Sequence, residues 1–389
     1  MLSTSNGSYG YDAKGVPAAG DNSNSIYALV GVAAAAEAGV DVPAAYWRKV
    51  KTYWESAQCA DGGWVYSSKA AKGNPNMSAA GATALLLCSG NLYRETFAGG
   101  SPTREAQNTQ AAIGRGLDWL DHKFAGATVT ATSYDGAPGS VDIYFLHNAE
   151  RAALASGTRC FGDSDWYKTG ADLLLKAQAP NGTWKSSYDA AVAAAQGMLF
   201  LVRGSRPIAF NKLKYGGDWN NRPHALAALT RWMGSTAFTQ EPSWRVVSLE
   251  AQPADWHDAP ILLITGSKAH GFTKEELDKL RAFVEQGGTI FSVTESGGDG
   301  FETGMRQAYA KLFPSHELAE APLTHELYRI GENLAGSDIR FRLVSDGTRV
   351  LAVHVAKDLL RNWQANRTQD EKPSFAAALN VYLYLTNKP

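Results

Sequence analysis

Residues 261–293 read ILLITGSKAHGFTKEELDKLRAFVEQGGTIFSV. The opening run, 261–265, is apolar and β-favouring without interruption, which at that length predicts a strand buried on both faces. Thr273-Lys-Glu-Glu276 has the spacing of a capping box, in which each side chain satisfies a free backbone N–H of the other residue. An amphipathic helix follows over 273–286, and Gly287-Gly288 supplies a left-handed stop that costs glycine little. TIFSV at 289–293 is a second short β-type run. Strand, helix and strand in this order predict a right-handed crossover and a parallel sheet.

The same texture extends on both sides. Strand-like runs at 244–249, 340–344 and 350–355 alternate with helical ones at 222–233, 300–313 and 374–385. Such alternation predicts a three-layer α/β domain over 209–389. Before about residue 210 the chain instead carries alanine-rich helical runs at 25–39, 43–57, 78–90, 107–123, 141–156, 164–177 and 189–204. ATALLLC (82–88) and AAVAAAQGMLFLV (190–202) are apolar nearly all round, whereas YWRKVKTYWESAQ (46–58) is amphipathic. Helices of the first kind belong inside others and those of the second on a surface. The expectation is a multidomain chain, with an all-α, double-layered domain over 1–208 preceding the α/β domain.

One motif occurs twice in the helical part. Gln58-Cys-Ala-Asp61-Gly62-Gly63-Trp64 and Gln178-Ala-Pro-Asn181-Gly182-Thr183-Trp184 share the pattern Q-x-x-[DN]-G-x-W. Each follows an outer-type helix and precedes an inner-type one. The acid or amide and the glycine suit a tight turn. The glutamine can bond loose helix-end groups, and the indole can pack across the next helix. A weaker unit, Gly116-Leu-Asp-Trp119-Leu-Asp, lies about midway and reads as a degenerate third copy.

This repeat resembles the QW motif of the α/α-toroid superfamily, which includes squalene–hopene cyclases, other terpenoid cyclases and protein prenyltransferase β subunits. The likeness spans roughly 8–208 and implies a toroid; the helices read here are about half of a full one, so the expectation is an open half-ring or the C-terminal part of a truncated ring. The second half resembles DUF4159, a bacterial domain of unknown function similar in fold to class I glutamine amidotransferases (a flavodoxin-like arrangement). Residues 261–266, LRAFVEQGGTIFSV and Asp358-Leu-Leu-Arg-Asn-Trp363 carry that likeness. None of the chemistry these families imply has its defining residue. No Asp-x-Asp-Asp acid cluster is present, and no cysteine follows an Asp by two as the prenyltransferase zinc site requires. All three cysteines (59, 88 and 160) precede the α/β half, so the amidotransferase thiol is missing; the turn expected to hold it reads Thr294-Glu295-Ser296-Gly297-Gly298.

Two weaker constellations remain. Asp21, Asn22, Asn24, Asp142 and Asp189 stand just before inner-type helices. With Tyr144, Trp166 and Tyr167 they would form a polar mouth over an aromatic cavity if those helices run parallel. N-capping alone accounts for the same residue types. Glu295, Ser296, His325 and Asp358 would line the C-terminal edge of the second sheet, where α/β proteins bind ligands. The turn lacks the first glycine of G-x-S-x-G, and the histidine spacing never gives H-E-x-x-H, so neither a serine triad nor a metal is expected.

Composition narrows the class further. Over 389 residues, 37 basic and 38 acidic side chains leave a net charge of −1, which gives no support for a nucleic-acid partner. The longest apolar stretches, 25–36 and 190–202, fall short of the ~18–20 residues that span a bilayer. The first fifteen residues lack the pattern of a secretory signal. Association with the cell envelope is expected only if a native signal is missing from this sequence. The reading is a non-catalytic binding or scaffolding protein whose partner is another protein or an apolar small molecule, with no cofactor. The alternatives are a terpenoid-cyclase-like enzyme acting on an isoprenoid, or a hydrolase using the α/β domain.

Overall fold

The computed structural model describes residues 6–10, 20–66, 72–129, 141–185, 189–295 and 299–386. Two compact units emerge, Met1–Tyr93 with Pro102–Ser205, and Arg94–Ser101 with Arg206–Pro389. A helical region is thus followed by a mixed α/β one.

The first unit contains α1 (Asn22–Glu37), α2 (Ala44–Ala57) and α3 (Pro75–Leu92). The short helix α4 (Arg94–Ala98) belongs to the second unit. The first resumes with α5 (Arg104–Val129), α6 (Ile143–Ser156), α7 (Trp166–Ala177) and α8 (Ala190–Gly204). Two short strands, β1 (Cys160–Phe161) and β2 (Ser164–Asp165), form a hairpin before α7. An inner row forms as α1 packs on α3, α3 on α6 and α6 on α8, while α2 and α5 cover α3 and α7 covers α6 and α8. Small residues make this possible. Residues 77–86 of α3 are buried without a break, and Ala79, Ala80, Gly81, Ala82 and Ala84 let neighbouring backbones approach. The last inner helix differs from expectation, because α8 ends the row and leaves Val192, Met198, Leu199 and Val202 exposed. The unit at 116–121 is also not a third corner, since it lies inside the continuous α5.

In the second unit, β3 (Ile208–Lys214), α9 (Ala225–Thr236), β4 (Ser243–Ser248), β5 (Ile261–Gly266), α10 (Lys274–Glu285) and β6 (Thr289–Thr294) come first. Then follow α11 (Asp299–Leu312), β7 (Ala319–Glu320), β8 (Arg342–Ser345), β9 (Val350–Val355), α12 (Leu359–Ala365) and α13 (Lys372–Thr386). The sheet has the order β4-β3-β5-β6-β9-β8-β7. Its first five strands pair in parallel, and β8 and then β7 are added by antiparallel pairing. Side chains alternate between two cores. Ile261 and Leu263 face the one built with α9, α12 and α13, while Leu262 and Ile264 face the one under α10 and α11. The predicted capping box at Thr273 and Glu276 is present. Strand β3, flanked by β4 and β5, has no counterpart among the expected strands. IAFNKLK buries Asn211 and Lys212, so it lacks the apolar run expected of an inner parallel strand.

Candidate functional site

The two corners of the helical unit are built alike. Gly62 and Gly182 both take left-handed φ values, +93° and +82°. The Gln58 amide donates to the Gly62 carbonyl at 2.8 Å, and Gln178 does the same to Gly182 at 3.1 Å. Each indole N–H donates to a carbonyl left open near the end of the preceding helix, Trp64 to Trp54 and Trp184 to Leu174, both at 2.8 Å. Asp61 accepts from Gly63 N–H, and Asn181 from Thr183 N–H. The indole therefore takes the helix end, while the glutamine closes its own turn. Gln58 also donates to Ala112 of α5 and accepts from Arg115. A shallow groove of about 560 Å³ lies beside the first corner, between Asp61, Trp119 and Lys123.

The predicted mouth is only partly assembled. The first turns of α1, α3 and α6 do meet: Asn22 N–H bonds the Tyr66 carbonyl, and Asn76 donates both to Tyr66 and, at 3.1 Å, to Asp142. These three inner helices therefore run parallel. Asp21, Asp142 and Asp189 each cap a helix, accepting from Asn24, Phe145 and Ala191 N–H. Asn24 also donates its side chain to Asp21, and Asn22 is held by Tyr53 and Val65. Burial raises the Asp142 carboxyl above its ordinary value against the hydrogen bonds of Phe145 and Asn76. Trp166 and Tyr167 lie elsewhere. Tyr167 donates to the Leu201 carbonyl and packs on Gly204, at the C-terminal end of α8. They open an outer helix whose N-terminus meets the C-terminal end of the inner one, so they sit at the opposite end from Asp189. Tyr144 is buried and stacks on Tyr27.

At the C-terminal edge of the sheet the geometry is more pointed. β6 delivers Glu295, 1 % exposed, whose N–H continues the ladder to the Gly266 carbonyl. Neither carboxylate oxygen has a hydrogen bond of good geometry, although Asn221 lies close by. Burial pushes this carboxyl up to about 7, opposed by Lys212, Arg222 and Asn221 and reinforced by Asp358. Lys212, on β3 and 2 % exposed, is pushed down to about 8 by burial, with Glu295 working against that. Its ammonium donates to Asn220 at 3.0 Å and stands over the Trp219 ring. The loop after β3 supplies the rest. Asp218 accepts from Ser267 N–H at 3.0 Å, and Arg222 donates to the Phe97 carbonyl and to Asp358 at 3.2 Å. Asp358 also caps α12.

Of the residues expected at this edge, Glu295 and Asp358 come together, through Arg222. His325 does not join them; it caps the short turn Glu326–Tyr328 and packs on Tyr384. Ser296 lies outside the described residues. Lys212, Asn220, Asn221 and Arg222 were not singled out from the sequence. The signal available was a buried-strand position carrying Asn211-Lys212, followed by the polar cluster Asp218-Trp-Asn-Asn-Arg222. Among the described residues no group of His, Cys, Asp or Glu is placed to hold a metal, and no helix is long and apolar enough to cross a membrane.

This half is an α/β domain with its polar cluster at the C-terminal sheet edge, the usual ligand side of such folds. Residues 209–381 match the family model described as "Domain of unknown function (DUF4159)", so the chain carries a DUF4159 domain there. No curated protein matches the chain.

The carboxyl of Glu295 makes a pH prediction. A raised folded-state value means that the folded chain holds this proton more tightly than the unfolded one. The stabilisation is complete below the unfolded value and is lost as pH rises through about 7. Burial holds His224 and His354 down to about 4, which gives the opposite slope below about pH 6.5. The comparison with Glu295→Gln removes those terms. From pH 4.5 to 8 the wild type should lose about 3 kcal/mol relative to the variant. Urea unfolding across that range checks it, and parallel stability curves would contradict the buried, unbonded carboxylate.

Proposed function

We propose that the protein binds a small polar ligand at the C-terminal edge of its α/β sheet, and that this role is recognition rather than catalysis. The observation that carries the reading is Glu295: a buried carboxylate without a good hydrogen bond, beside Lys212 and Arg222, at the end of a central strand. Buried polar atoms left open in this way point to a partner. The amidotransferase-like likeness supports the same position, because the turn where that fold keeps its nucleophile holds Glu295 here and the unit has no thiol. An incomplete α/α toroid is the matching proposal for the helical unit, supported by its two layers and its paired corners.

A second reading is favoured by one observation. A carboxyl near 7 beside an amine near 8 has the values of a general base and acid, which fits a hydrolase. The cyclase-like alternative has less support, since Asp142 and Asp189 are engaged as N-caps.

Native mass spectrometry of the purified full chain and of Glu295→Gln tests the proposal. A small molecule carried by the wild type and lost from the variant is the expected result. Identical spectra for the two would overturn it. Conversion of that molecule on incubation would move the assignment to the hydrolase.

A further inference from the structure

The inner row of the helical unit holds a second polar cluster, distinct from the sheet-edge site. Tyr27 of α1, Tyr144 and Arg151 of α6, and Gln196 of α8 meet there. Tyr27 and Tyr144 stack at 6.2 Å with 27° between their planes. Gln196 donates to the Tyr27 hydroxyl at 2.8 Å, and the Arg151 guanidinium stands 5.6 Å over the Tyr27 ring. The Gln196 carbonyl oxygen has no partner, and the residue is only 7 % exposed.

Arg151 is the anomaly. It makes no hydrogen bond or ion pair with any described residue, and its Nε and Nη1 are shut off from solvent. A guanidinium presents five donors, and desolvating them without acceptors costs free energy. Stacking on Tyr27 returns only part of that cost, less than a set of charged hydrogen bonds would. Glu150 offsets this charge only through space, attracting Arg151 without a hydrogen bond or ion pair to it. One residue earlier on α6, it projects about 100° around the helix and stands 3.4 Å from His147 and 3.9 Å from Arg203, without a hydrogen bond to either of its oxygens. Two guanidiniums thus share one buried carboxylate, and the local balance calls for another negative group.

We propose that this inner face is an oxyanion-binding site, with Arg151 receiving the carboxylate or phosphate of a ligand whose body lies against the half-exposed Tyr27. Both chemistries offer acceptor oxygens to the guanidinium fork. An aromatic or apolar carboxylate would also gain contact with Tyr27, which a bare phosphate would not.

The test uses the full-length chain and three probes, inorganic phosphate, acetate and benzoate, against chloride at matched ionic strength. At 100 mM at least one oxyanion should raise the unfolding midpoint of the helical unit by about 2 °C or more in the wild type. Arg151→Gln should show no such excess, and Arg151→Lys, which keeps the charge but not the fork, less than half of it. Circular dichroism establishes that both variants fold, and the lysine variant decides the matter if the glutamine one does not. Benzoate exceeding acetate identifies a carboxylate with an apolar body; phosphate exceeding both identifies a phosphate group. Equal shifts in wild type and variants, or no shift with any probe, would overturn the assignment.

Discussion

Trp64→Ala is expected to lower the unfolding free energy of the helical unit by about 3–5 kcal/mol, the range for removing a fully buried large aromatic. The side chain is 0 % exposed and fills space that the chain has cleared on two helices. A Cβ added at Gly81 would come within 2.2 Å of the ring, and one at Gly116 within 2.8 Å. Alanine would leave a cavity between α3 and α5 that close-packed backbones cannot collapse into. It would also take the indole donor from the Trp54 carbonyl near the end of α2. The second corner is looser. Trp184 is 5 % exposed, and a Cβ at Gly197 would lie 3.4 Å from its ring, ordinary contact. Trp184→Ala should therefore cost less, and urea unfolding of the two variants side by side measures the difference. Equal losses would mean that the two corners bear the same load.

The second large effect is expected at Arg222. Its guanidinium, buried, donates to the Phe97 carbonyl at 2.5 Å and to Asp358 at 3.2 Å. Arg222→Met would take the cationic partner from the Asp358 carboxylate and leave the Phe97 carbonyl without this donor. Removing one member of a buried pair costs about 3–5 kcal/mol. Two further effects should accompany it. Glu295 would lose one of the cations that hold its proton affinity down, so its carboxyl should titrate still higher. Arg94–Ser101, joined to the second unit partly through Phe97, should become more open to proteolysis. Arg222→Lys should recover only part of the loss, since a point charge cannot serve both acceptors as the fork does. A change below about 1 kcal/mol in Arg222→Met would show that the pair is dispensable.

Much of the architecture was legible in the residues because it rests on local rules. Periodicity marked the seven long helices of the first unit. The capping box and Gly287-Gly288 bracketed α10, and the apolar runs marked β5, β6 and β9. The corner motif was legible for the same reason, since every bond it makes except those to α5 lies within the motif or on the helices beside it. Residues 116–121 imitated that pattern inside a continuous helix, because Trp and Asp in a helix serve other ends: Trp119 donates to Asp61 across the groove. Ionic and edge features were less legible. Lys212 and Asn211 left the inner strand β3 unmarked in the sequence, and only the neighbours on both sides explain their burial.

The sequence by itself determined the seven long helices of the first unit, the strand–helix–strand unit around α10, and the two corners where the chain turns. Those properties depend on residues within a few positions of one another. The tertiary structure alone decided that Glu295 meets Lys212 and Arg222, that Arg222 reaches back to Phe97, and that Arg151 stands over Tyr27 without a hydrogen-bonded acceptor among the described residues. Burial and electrostatic pairing are set by the elements that pack against a residue, and those elements lie far away along the chain.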